Sequence, residues 1–334
     1  MFHFCPIIEK IIKYSIIYYI FLIFQFNYSK KGVHYSIMEK EDKKILIVGL
    51  GLLGMSLAMA FRKTGIQVMG FNRHREAVEY GIREGILLPE SEEMLETLLA
   101  KADVVFLALP IPATVEFLEK YAGCFKKGAV VTDLNSTKSA FMNKAEEVLP
   151  PQNVFYVGSH PMAGTEKSGY ENAFETLYDN ADVFICAADF EAPEVRIIEE
   201  LWQSISCKTV RITKEKHDNL VARTSHVAHI LASALTISVL GYEDKFDNFA
   251  GCAGGFRDTS RTASSNPVMW KEIIENNRDA VLKAMDYFEC EYSKFRKIIE
   301  ENRFDDFEHE FAIGRNLREE WLQYMENKKG NKKK

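Results

Sequence analysis

An α/β doubly wound parallel sheet followed by an all-helical domain is the fold class this sequence predicts, on three observations. Short runs of β-branched and apolar residues recur between helical patterns, as expected of strands buried on both faces. The first run, Ile45 to Val48, leads into Gly49-Leu50-Gly51-Leu52-Leu53-Gly54 and then an apolar helical pattern closed by Gly65. Beyond about residue 188 the strand patterns give way to long amphipathic helical ones.

The glycine triplet fits G-x-G-x-x-G between a strand and a helix, with a second strand pattern, Gln67 to Phe71, following at the expected distance. Each glycine has its own task. Gly49 makes the tight turn, Gly51 lets the backbone approach a pyrophosphate, and Gly54 lets the helix pack on its strand. The first N–H groups of that helix, at Leu52 and Leu53, then face the phosphates with the positive end of the helix dipole. This is a Rossmann-type dinucleotide site. A carboxylate usually ends the second strand and grips the ribose 2′-hydroxyl, but here Asn72 stands there, followed by Arg73, His74 and Arg75. An uncharged side chain beside cations accommodates a 2′-phosphate. The cofactor is therefore NAD or NADP, with a slight lean to NADP.

The chain has 334 residues, 47% hydrophobic and 27% charged, with a net charge of −6, which argues against a nucleic-acid partner. Six scattered cysteines without a C-x-x-C pair fit a reduced, cytoplasmic protein better than a disulfide framework or zinc site. Residues 1–40 differ in composition from the rest. The apolar run Ile16 to Phe24 is short of the roughly 20 residues of a membrane span, and no small-residue cleavage site follows it. Translation from Met38 explains the segment best, and no membrane partner is expected. Residues 41–188 then read as the dinucleotide-binding domain, 189–327 as the helical domain and 328–334 as a basic tail.

Within the first domain, Ala77 to Gly85 and Ser91 to Ala100 read as helices and Asp103 to Leu109 as a third strand, closed by Pro110 and Pro112. Leu109 and Pro110 should lie beside the nicotinamide half of the cofactor, because ligands sit at the carboxyl ends of such strands. Ala129 to Thr132 is a fourth strand, delivering Asp133-Leu134-Asn135-Ser136-Thr137-Lys138. Val154 to Val157 is a fifth, delivering Gly158-Ser159-His160-Pro161, and Asp182 to Ala187 a sixth. Ser136 and His160 are thus expected just after buried strands. A histidine held on a stiff loop there can take a proton from a hydroxyl as a hydride leaves the same carbon.

In the helical half, Pro193 to Ile205 is an amphipathic helix, Lys208 to Ile212 a short strand, and Thr213 opens a long helix carrying His226 and His229 on one face. That pair has no carboxylate or third ligand nearby, so no metal site is expected. Trp270 to Glu300 and Phe304 to Asn327 read as further long amphipathic helices.

The spaced motifs GLGLLG, DLNSTK, GSHPMAGTEKSG, SHVAHILASAL and GGFRDTSRTASSNPVMW together resemble the prephenate/arogenate dehydrogenase family of tyrosine biosynthesis, from about Lys44 to about Phe304. The resemblance implies oxidative decarboxylation of prephenate to 4-hydroxyphenylpyruvate, with hydride transfer to NAD(P)+ and aromatisation as the driving force. It implies that His160 is the base, that Ser136 orients it, and that Arg261 binds a substrate carboxylate, with Arg257 as a competitor. His226 and His229 would lie near the substrate's side-chain end, with Thr165, Glu166 and Trp270 lining the pocket. It also implies a homodimer through the helical domain. Asn135 and Thr262 depart mildly from the family pattern. Arogenate as substrate remains open, since it differs from prephenate only in an amino group. A 3-hydroxyacid dehydrogenase would require a catalytic lysine in the helical half and fits the paired histidines poorly. A nucleotide-sensing binding protein would require a degenerate site, whereas His160, Ser136 and Arg261 are all present.

Overall fold

The computed structural model describes residues 43–165, 167–241 and 245–330, with only the backbone at 245 and 328–330. The expectations for residues 1–40, for Glu166 and for the end of the basic tail lie outside the described residues.

Five parallel strands form the first sheet: β1 (Ile45–Val48), β2 (Val68–Phe71), β3 (Val104–Leu107), β4 (Val130–Asp133) and β5 (Phe155–Tyr156), in the order β2-β1-β3-β4-β5. Alternate residues of these strands enter two separate cores, which is why the runs are apolar without interruption. Ile45, Ile47, Val104, Phe106 and Val130 face one side, with helix α1 (Leu52–Lys63) and helix α6 (Pro193–Ser204). Leu46, Val48, Val105, Leu107 and Val131 face the other, against helices α3 (Leu95–Lys101), α4 (Ile111–Tyr121) and α5 (Ser139–Val148). Helix α2 (Arg75–Arg83) packs Ala77 and Val78 into the first core. The expected Ser91 to Ala100 helix is instead a 3₁₀ turn over Pro89–Glu92 followed by α3, because Pro89 starts a separate turn.

The expected sixth strand does not extend this sheet. Strands β6 (Gly158–Pro161), β7 (Asp182–Cys186) and β8 (Lys208–Arg211) form a second, three-stranded sheet in which β6 runs antiparallel to β7. His160 is consequently inside a strand, paired with Phe184, and not on a loop beyond one. The Thr132 hydroxyl donates to Ser159 Oγ across 3.0 Å and links the two sheets. Helix α6 buries Trp202 against Phe106 and Tyr178, so residues past the expected boundary at 188 continue the layer that covers the first sheet.

The long helix after Thr213 has three parts: α7 (Lys214–Val221), a π-helical turn (Ala222–His226) and α8 (Val227–Leu240). Thr213 caps it, its hydroxyl accepting from Lys216 N–H. Helices α9 (Lys245–Gly251), α10 (Gly254–Ser260), α11 (Pro267–Asn276), α12 (Arg278–Glu300) and α13 (Phe304–Gly330) follow. The expected single helix from Trp270 to Glu300 is broken at Asn277, whose φ of −130° and ψ of 27° are not helical. Val227, Val281 and Ala284 form a small core here, while Ile237, Phe246, Val268, Phe311, Leu317 and Trp321 remain exposed.

Candidate active site

The strand order reverses about β1, and a ligand crevice opens between β1 and β3 at their carboxyl ends. Gly49 sits there at φ +98°, and a Cβ on it would lie 2.4 Å from Ala108 O. A Cβ on Gly54 would fall 1.9 Å from Gly49 O, so both positions are dictated by the protein's own packing. Gly51 differs. Nothing lies within 4 Å of a Cβ placed there, and its φ of −81° suits any residue. Gly51 is also the N-cap of α1, where no side chain accepts the first N–H groups. An uncapped helix start beside an unfilled cradle fits a pyrophosphate, with Gly51, Leu52 and Leu53 presenting their backbone to it.

Asn72 is committed to shaping this loop: Leu50 N–H donates to its Oδ1 at 3.2 Å, and its Nδ2 donates to His74 O at 3.1 Å. Arg73 and His74 are exposed at the end of β2. Leu109 and Pro110 border the opposite wall, fixed by the Thr114 hydroxyl, which donates to both of their carbonyls. Asn135 Nδ2 donates to the same hydroxyl at 3.1 Å and ties that wall to the end of β4.

Behind this crevice lies a polar network that the sequence reading did not single out. Asp133 and Lys138 are fully buried, their Oδ2 and Nζ 2.8 Å apart. Lys138 Nζ also donates to the carbonyls of Asn135 and Thr137, and Tyr156 donates its hydroxyl to Asp133 Oδ1. With Asn135 N–H on Oδ2 and Ser159 N–H on Oδ1, every hydrogen bond to the Asp133 carboxylate is charge-assisted. This is the condition under which a buried ion pair is tolerated.

His160 faces this network. Its Nδ1 lies 2.8 Å from Nε2 of His217, and Nδ1 of His217 lies 2.9 Å from Asp218 Oδ1. Asp218 is anchored in turn by the Lys138 and Ser139 N–H groups at the start of α5, each at 2.8 Å. Burial, above all, and the Lys138 charge hold His160 well below the usual histidine range. Burial likewise lowers His217 against the opposing pull of Asp218. For Asp218, burial acts upward, but the bonds from His217 and Ser139 outweigh it and hold the carboxyl low.

Ser136 is half-buried three residues past β4, and no hydrogen bond joins it to His160 among the described residues. His226 is buried, with its Nδ1 3.2 Å from Asn277 Nδ2 and its basicity pushed down by burial to about 4. Asn277 also donates to Asp218 O, so the helix break at this residue joins α7 to the π turn. His229 stacks on Trp270 at 3.8 Å, and its Nδ1 lies 2.9 Å from Ser225 O. Burial lowers His229, as does the charge of Arg261 close by. Trp270 Nε1 is buried without a partner among the described residues. Arg261 is exposed and forms no ion pair among the described residues, whereas its competitor Arg257 is paired with Asp258 at 3.2 Å. Thr165 is exposed, its hydroxyl accepting from Lys167 N–H.

A dinucleotide crevice at the switch point of a parallel sheet, followed by a helical half, is the arrangement of a nicotinamide-nucleotide-dependent oxidoreductase. The family follows from comparison with known proteins. Sequence profiles of the prephenate dehydrogenase nucleotide-binding and dimerization domains match residues 57–211 and 213–313. A prephenate dehydrogenase of Lactococcus lactis subsp. cremoris is 32% identical over 86% of this chain and 79% of its own length. One from Bacillus subtilis is 30% identical over 84% and 77%. The chain belongs to the prephenate dehydrogenase family. A cyclohexadienyl dehydrogenase of Zymomonas mobilis is also 31% identical, over 77% of this chain and 88% of its own. Among solved structures, Synechocystis arogenate dehydrogenase superposes with a TM-score of 0.74 at 26% identity, covering 83% of this chain and 99% of that one. A. aeolicus prephenate dehydrogenase, in complex with hydroxyphenyl propionate and NAD+, gives 0.72 at 27%, covering 85% and 98%.

Proposed function

We propose that this protein oxidises and decarboxylates prephenate, with His160 as the base that takes the ring hydroxyl proton. The observation that carries this reading is His160 itself: half-buried, held low in basicity and bonded through Nδ1 to His217. NAD(P)+, when bound, supplies the hydride acceptor. Gly51, Leu52 and Leu53 hold its phosphates, and Leu109 and Pro110 border its nicotinamide end. Arg261, without an acidic partner among the described residues, grips a substrate carboxylate through its guanidinium fork. His226, His229, Thr165 and Trp270 line the substrate's surroundings, with Glu166 assigned by sequence alone. Ser136, half-buried at the end of β4, reaches the same hydroxyl once substrate is present. Aromatisation of the ring supplies the driving force, so the protein's share is placement, a base and a cationic clamp.

NADP is favoured slightly over NAD because Asn72 is uncharged and turned into the loop, while the exposed Arg73 can meet a 2′-phosphate. The exposed apolar residues of α8, α12 and α13, within and beside the matched dimerization segment, support a soluble homodimer. Arogenate is the second reading, favoured by the Synechocystis and Zymomonas relatives. Reduced cofactor formation, followed by absorbance with prephenate and arogenate against NAD+ and NADP+, tests all of this. Turnover lost in His160→Asn supports the assignment of the base. Silence with both substrates would remove the proposed activity and leave only the fold.

A further inference from the structure

This inference rests on His160 being the proton acceptor and concerns what makes it one. A neutral imidazole carries one N–H and one lone pair, and a base needs the lone pair on the atom that faces substrate. His160 Nδ1 is taken by His217, so Nε2 is left to face the crevice. We propose that Asp218, acting through His217, locks His160 in the Nδ1–H tautomer and so reserves its Nε2 lone pair for the substrate hydroxyl.

The assignment follows from the far end of the chain of bonds. Asp218 is surrounded by donors: the N–H groups of Lys138 and Ser139 and Nδ1 of His217. Such a carboxylate is ionised and only accepts, so His217 Nδ1 carries its hydrogen. A neutral His217 then has its lone pair on Nε2. At 2.8 Å from that lone pair, His160 Nδ1 must be the donor. Were His217 doubly protonated, the order would invert: its Nε2–H would donate to His160 Nδ1, and His160 Nε2 would carry the hydrogen and be useless as a base. Burial of His217 favours the neutral form. The other groups facing the pair are the Lys138 cation from the start of α5, with Asp133 behind it, and His226 from the π turn. The edge of Phe184 on β7 completes the surroundings. None of these hydrogen-bonds to either ring, so none disturbs the order.

In the reaction the substrate O–H bond breaks and an N–H bond forms at His160 Nε2. His160 becomes a cation, its Nδ1–H still donated to His217 and its charge balanced through that ring by Asp218. No proton moves along the chain. His217 and Asp218 are positioning residues that control tautomer and basicity, the logic by which a carboxylate fixes an imidazole in hydrolytic triads, here extended by one ring.

The first test uses the unaltered protein, labelled with 15N-histidine. Long-range proton–nitrogen correlations at neutral pH are expected to show His160 and His217 both as Nδ1–H, the form less favoured in free imidazole. An Nε2–H signal for His160, or a doubly protonated His217, would overturn the proposal. The second test compares His217→Phe, which fills the space without either hydrogen bond, with His217→Gln, which offers an acceptor to His160 and a donor to Asp218. The Phe variant should lose roughly 100-fold or more in kcat, with cofactor Kd unchanged. The acid limb of its kcat/KM profile should move to lower pH, since the His160 cation has lost its support. The Gln variant should recover most of both. An acid limb that stays in place in His217→Phe refutes the proposal whatever happens to kcat, because a merely structural loss moves no titration. If that variant does not fold, the 15N measurement decides alone. The tautomer result does not depend on turnover, so failure of the proposed activity and failure of this inference remain distinguishable.

Discussion

Adding one methyl group at each of two glycines separates what the protein needs for itself from what it needs for its cofactor. At Gly54 the new Cβ falls 1.9 Å from Gly49 O, about 1.5 Å short of ordinary contact, and 3.1 Å from Ala108 Cβ. Backbone lies on one side and a strand end on the other, so α1 must move off β1 as a unit. Overpacking of this kind costs about 1–3 kcal/mol or more. At Gly51 the methyl group meets nothing within 4 Å, and φ is −81°, so folding should change by no more than about 0.5 kcal/mol. The open space is where a pyrophosphate would approach the backbone, and a methyl group there should weaken cofactor binding about 10- to 100-fold, or roughly 1.4–2.8 kcal/mol. Differential scanning calorimetry gives the first quantity, and quenching of tryptophan fluorescence by the reduced cofactor gives the second. Gly51→Ala should melt like the parent and bind poorly, while Gly54→Ala should melt several degrees lower. Parental cofactor affinity in Gly51→Ala would refute the placement of the phosphates.

Three further outcomes follow from the same geometry. Lys138→Met strands the buried Asp133 charge and two carbonyls, which should cost about 3–5 kcal/mol by thermal denaturation; with Asp133→Asn added, much of that loss should return. His226 is neutral in the folded protein down to about pH 4, whereas the unfolded chain takes up its proton near 6.5. The unfolded state thus binds more protons between these values, and stability falls as pH drops from 6.5 to about 4, by up to roughly 3 kcal/mol from this residue alone. His226→Gln should flatten that part of the pH–stability curve. Ile237→Asp together with Phe311→Asp places charge on two of the most exposed apolar positions of the segment matched by the dimerization profile. Light scattering should then report one chain where the parent reports two.

The dinucleotide half was readable because its signals are local. Ile45–Val48 is apolar on both faces, and a glycine turn leads it directly into a helix. Strand β6 was not readable: Gly-Ser-His-Pro has little strand propensity of its own, and it is extended because β7 pairs with it. His217 and Asp218 were hidden for a related reason. They stand in KEKHDN, which looks like the solvated start of a helix, and only the approach of α7 to α5 buries them. Asn277 lies within an apolar periodicity that continues on both sides, so its role in breaking the helix shows only in its bonds to Asp218 and His226. Conversely, Arg261 could be preferred to Arg257 from sequence only through the family resemblance. The structure adds that Arg257 already has a partner.

The π turn at Ala222–His226 works as a register shift. An α-helix advances about 100° per residue, so Asp218 and His226, eight residues apart, would point roughly 80° away from each other on an unbroken helix. A π turn inserts about one residue without its share of rotation, which brings the two within roughly 20° of a common direction. On that side of the helix Asn277 Nδ2 meets both the Asp218 carbonyl and His226 Nδ1. Losing a single residue between Val221 and Val227 would leave a regular helix with the two still within about 20° of a common direction. Winding the same residues into an unbroken α-helix would instead turn His226, His229 and the Trp270 ring stacked on it about 100° away from that direction. At this point of the chain, the count of residues matters as much as their identity.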